Sequence, residues 1–95
     1  MNDFSYLNVR GAAERAGTSE ALADQAGQIA FEAQRRASEI AQDRQLSVDE
    51  RRRRVQELQS RAEAELTRAL GDKAARAARH SLGMIFSSTS ATLRP

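Results

Sequence analysis

Apolar residues recur at three- and four-residue spacing in two long stretches of the chain. Leu22, Ala26, Ile29, Ala33, Ala37 and Ile40 form the first, widened by Ala30 and Ala41. Val48, Val55, Leu58, Ala62, Leu66 and Ala69, with Leu70 alongside, form the second. Each is one stripe on a helix of period 3.6. The first helix is predicted to start at Thr18 or Ser19, whose hydroxyl can cap it, with Glu20 in the dipole-favoured first turn. The second is predicted over Val48–Leu70. Between them, Ser47 followed three residues later by Glu50 is a capping box, in which Ser47 accepts the Glu50 amide and Glu50 reaches back to the Ser47 amide. The break at residues 44–47 is short, so the two helices are expected to fold back as an antiparallel hairpin. A long parallel coiled coil is the alternative geometry, against which Arg51 or Arg52 interrupts the second stripe.

The flanks read differently. Residues 1–17 form a lead-in with an apolar cluster of Phe4, Tyr6, Leu7 and Val9. Gly11 and Gly17 bracket Ala12–Ala16, room for about one helical turn. This segment would cover the open end of the helix pair, or dock on a partner. Gly71 is a helix stop and Asp72 a cap for a third, basic helix over Lys73–Leu82. Gly83 is expected to end or loosen that helix. The helical domain then spans residues 18–86, and the Ser/Thr-rich stretch 87–95 reads as a disordered tail.

Composition narrows the fold. Of 95 residues, 38 are apolar, but 18 of these are alanine and only 17 are Leu, Ile, Val or Phe. So little apolar volume excludes a sheet sandwich or a doubly wound α/β domain, and the abundance of Ala, Glu, Arg and Gln favours helices. The fold class is all-α. Two thin-striped helices leave apolar surface uncovered, so the hairpin is expected to complete a bundle against another chain. Leu22, Ile29 and Ile40 on the first stripe, and Val55, Leu58 and Leu66 on the second, are the candidate partner-interface residues.

Charge adds one asymmetry. The formal net charge is +2, yet residues 1–72 carry eleven basic and thirteen acidic groups while residues 73–95 carry four basic groups and no acid. Lys73, Arg76 and Arg79 are therefore candidate phosphate contacts. Arg51–Arg54 are less suited to that task, because successive helical residues point about 100° apart and Asp49, Glu50 and Glu57 neutralise them. Glu32–Arg36, Arg35–Glu39, Glu50–Arg54, Arg53–Glu57, Glu57–Arg61 and Arg61–Glu65 are expected to pair at i,i+4. His80 is the lone histidine and cysteine is absent, so no cysteine–histidine metal site can be assembled. It reads as a surface histidine near a helix C-terminus. No nucleophile–base pair or phosphate-binding glycine loop is present, so neither catalysis nor a cofactor is expected. No apolar run approaches the ~20 residues of a membrane span, and no secretion-type leader is evident. A cytoplasmic location is the expectation, with a periplasmic one requiring an export signal.

The stretch Leu46-Ser47-Val48-Asp49-Glu50-Arg51, followed by Val55-Gln56-Glu57-Leu58 and closing on Ala69-Leu70-Gly71, resembles the LTxxQ segment of the periplasmic Spy-like bacterial proteins. Ser47 stands for the Thr, and Glu50 or Arg51 for the Gln. The resemblance covers residues 46–71 and implies a chaperone-like or envelope-stress role without catalytic residues. The leading expectation from the residues themselves is a non-enzymatic interaction or assembly protein, a homodimer or a small subunit of a complex. Nucleic-acid binding through the basic C-terminal segment is the second expectation, and the Spy-like role the third.

Overall fold

The computed structural model describes residues 4–91, with side chains as far as residue 87. Its helices are α1 (Phe4–Arg15), α2 (Glu20–Ala41), α3 (Val48–Leu70) and α4 (Asp72–Ala91). There is no strand among the described residues, and the all-α class expected from composition is what forms. α1 and α3 each pack on both α2 and α4, and α2 meets α4 across the middle. Arg10 reaches Glu20 from α1 to α2, and Arg79 reaches Thr67 from α4 to α3, so these successive helices run antiparallel. The Cα envelope is 41 × 27 × 16 Å, its long dimension comparable to the ~35 Å of a helix the length of α3. One chain thus supplies all four helices. The hairpin expected over α2 and α3 is part of a helical bundle, in which α1 and α4 cover it from within the same chain.

α1 is the largest departure from the sequence reading. The lead-in is a twelve-residue helix, with Gly11 inside it. Val9, Ala12 and Ala13 are buried, and this tertiary burial outweighs the ~1 kcal/mol that a helical glycine costs. The close approach of α1 to α2 depends on Gly27. A Cβ at that position would lie 2.6 Å from Cδ2 of the Tyr6 ring and 3.0 Å from the Tyr6 carbonyl oxygen. The Tyr6 hydroxyl donates to the Asp24 carboxylate beside it. The α1–α2 turn is closed by Gly17 at φ +92° and by the Thr18 hydroxyl, which donates to the Ala13 carbonyl at 3.0 Å. Ser19 then caps α2 by accepting the Leu22 N–H at 3.2 Å.

Between α2 and α3, Asp43 accepts the Gln45 N–H at 3.0 Å, and Ser47 accepts the Glu50 N–H at 3.1 Å. The reciprocal half of the capping box is replaced. The Glu50 carboxylate instead accepts from Arg53 Nε at 3.0 Å and Arg54 Nε at 3.1 Å. Arg51, which interrupts the apolar stripe, reaches back to donate from Nη1 to the Ala41 carbonyl at 3.1 Å. It places a cation on the negative end of α2, where the helix dipole favours one.

α3 and α4 are joined by Gly71 alone, at φ 81° and ψ 163°. That region of backbone space is essentially restricted to glycine. The expected stop at Gly83 is also corrected: α4 runs through it to Ala91. Leu82 and Phe86, one turn apart, are both fully buried, so packing holds the helix on either side of the glycine. Residues 87–91, read as tail, are helical, and 92–95 lie outside the described residues.

Candidate functional site

The six residues expected at a partner interface divide into two sets. Val55 and Leu66 are fully buried in the chain's own core and unavailable to a partner. Leu22, Ile29, Ile40 and Leu58 are half-buried. Ile40 and Leu58 line a cleft of about 480 Å³ between α2 and α3. Ile29 and Leu58 line a second, of about 290 Å³. Arg36, Leu58 and Arg61 border both, so the two clefts make one strip along the α2–α3 face.

Only part of the expected ion-pair ladder closes. Arg35 pairs with Glu32 at 3.0 Å and with Glu39 at 3.9 Å. Glu50 takes Arg53 and Arg54, and Asp49 takes Arg52 at 3.4 Å. The expected Glu32–Arg36, Arg53–Glu57, Glu57–Arg61 and Arg61–Glu65 pairs are absent among the described residues. The cause at both ends is competition: Glu32 and Arg53 each find a partner three residues away. Arg36, Glu57, Arg61 and Glu65 border these clefts and form no ion pair among the described residues.

The basic candidates also divide. Lys73 and Arg76 are exposed at the start of α4, but Arg79 turns to α3 and donates to the Thr67 hydroxyl at 2.7 Å. The three do not form one phosphate site. Lys73 and Arg76 instead share a cleft of about 650 Å³ with Arg15 of α1 and His80 of α4. His80 is seven residues after Lys73, which brings it back to the same side of the helix. It lies within α4 rather than near its end, a correction that follows from the helix continuing past Gly83. Arg15 could not be grouped with these residues from local spacing, because it arrives from another helix. Beyond Asn8, Ser81 and Met84 this cleft continues into one of about 480 Å³ bordered by Phe4 and Ile85.

Titration behaviour reflects local pairing. Hydrogen bonds from Arg53 and then Arg54 hold the Glu50 carboxyl below its usual range. The bond to Asp24 raises the Tyr6 phenol above its usual value. Among the described residues no group of three or more His, Cys, Asp or Glu side chains is placed to hold a metal ion. None of their helices is long and apolar enough to cross a membrane. Comparison with protein-family models, curated proteins and solved structures returns no match.

Proposed function

We propose that the chain is a non-enzymatic assembly module that pairs with a second copy of itself through the α2–α3 face. The observation that carries this is the strip of Ile29, Ile40 and Leu58, bordered by Arg36, Arg61, Glu57 and Glu65, none of which forms an ion pair among the described residues. Both signs of charge border the same three partly exposed apolar side chains. A two-fold pairing brings one copy's arginines to the other's glutamates while the strips cover each other. The free face is then completed by an identical one, without the bundle itself depending on it.

Native mass by light scattering tests the reading. The wild-type chain is expected to run as a dimer and to remain one in ~0.5 M salt, where phosphate-dominated association would weaken steeply. Leu58→Asp places a carboxylate in the strip and is expected to yield a folded monomer. A monomeric wild-type chain, or an unchanged dimer in Leu58→Asp, removes the proposal.

A further inference from the structure

The α1–α4 groove has a different character from the α2–α3 strip, and its two ends differ from each other. At one end stand Arg15, Lys73, Arg76 and His80, with no carboxylate lining the cleft. None of the four forms an ion pair among the described residues. Lys73 lies in the first turn of α4 and Arg76 directly after it. Asp72 complements the helix dipole at this end, and the two cations beside it make no ion pair among the described residues. At the other end the groove is apolar, with Phe4 75% exposed, Met84 64% exposed and Ile85 beside them.

We infer that the α1–α4 groove receives an amphipathic helix of a partner protein, with carboxylates at one end and apolar side chains along the rest. The carboxylates meet Arg15, Lys73 and Arg76, and the apolar side chains cover Phe4, Met84 and Ile85. The groove follows α1, about 17 Å or three turns of helix, a length typical of helix-in-groove recognition. Charge complementarity selects this occupant over the others. A nucleic acid presents phosphates along its whole length, whereas the cations occupy one end, with the exposed aromatic Phe4 at the other instead of interleaved for base stacking. A bilayer surface is broad, whereas Met84 and Ile85 border a concave cleft.

The test is fluorescence anisotropy with the full chain and two labelled amphipathic peptides of about 12 residues, matching the groove length. One carries glutamates in a terminal turn followed by leucines at i, i+3 and i+4. The other has lysines in place of the glutamates. Only the glutamate peptide is expected to bind, and the double variant Lys73→Glu/Arg76→Glu is expected to weaken it at least tenfold. Met84→Asp, at an exposed position that leaves the core intact, is expected to weaken it by a similar factor, with helical circular dichroism unchanged. Leu58→Asp is expected to retain peptide binding, which separates this groove from the self-pairing face. The inference fails if neither peptide binds, if both bind alike, or if the variants bind as wild type does. It fails also if single-stranded DNA or phosphatidylserine vesicles bind more tightly than the glutamate peptide.

Discussion

Where α1 meets α2, small residues of α2 take the Tyr6 ring and backbone at close range; α3 and α4 bury most of the large side chains of the core. The buried positions of α2 are Ala23, Ala26, Gly27, Ala30, Ala33 and Ala37, and nothing bulkier. α3 and α4 contribute Val55, Leu66, Leu82 and Phe86, all fully buried. The same shortage of apolar volume is thus met in two ways. Small residues let one pair come close enough that even a methyl group is excluded at Gly27, and apart from Val9 the largest fully buried side chains lie in the other pair. Tight approach gives the first pair little tolerance for added volume, and reliance on a few side chains gives the second little tolerance for lost volume.

Removing volume from the second pair is the most severe way to break this contrast. Phe86→Ala is expected to cost about 3–5 kcal/mol, as for other buried aromatic truncations, read by urea denaturation. A loss well under 1 kcal/mol would mean that the end of α4 is not packed as described. Two of the three helical glycines, Gly27 and Gly83, sharpen the contrast further. At Gly27, alanine collides with the Tyr6 ring and backbone, and Gly27→Ala is expected to destabilise by about 1–3 kcal/mol. At Gly83, the nearest atom to an added Cβ is Gln59 Nε2 at 3.8 Å, an ordinary contact. Gly83→Ala is expected to stabilise by about 0.5–1 kcal/mol through helix propensity. Thermal melts of the two variants moving in the same direction would refute the distinction.

The smallest effect concerns the start of α3. Glu50 has a depressed pKa in the folded chain because Arg53 and Arg54 hydrogen-bond its charged form. Its contribution to stability is therefore present above the ordinary glutamate pKa and is lost as pH falls through the depressed value. Glu50→Gln is expected to lower the melting temperature slightly at neutral pH, with the difference closing in acid. A difference that persists below the depressed pKa would assign the effect to something other than the carboxylate.

The α2–α3 hairpin was legible because its signals are local. The Ser47 cap, the stripe period and the Gly71 stop each act within a few residues, and the structure places α3 over Val48–Leu70 as read. α1 and the end of α4 were not, because local propensity opposes them. Gly11, Gly83 and the run Ser87-Ser88-Thr89-Ser90 are poor helix formers, and burial of Val9, Ala13, Leu82 and Phe86 decides the outcome. The candidate sites follow the same division. Ile29, Ile40 and Leu58 could be placed on their faces by period alone. That Val55 and Leu66 are already covered depends on helices that the sequence reading left out or shortened. The basic groove needed Arg15 from α1, and Arg79 left the group because Thr67 of the neighbouring helix offered it an acceptor.

The single-residue link at Gly71 bears on the topology of the whole chain. Its backbone lies where any other residue is strained, at φ 81° and ψ 163°. A side chain at 71 would tax the reversal, and the relaxed alternative is for α3 to run straight on into α4 as one rod of about 66 Å. In that rod, α4 could no longer lie against its own α3, and Leu82 and Phe86 could regain cover only from another molecule. The glycine therefore guards against exchange of α4 between chains: it keeps the fourth helix at home.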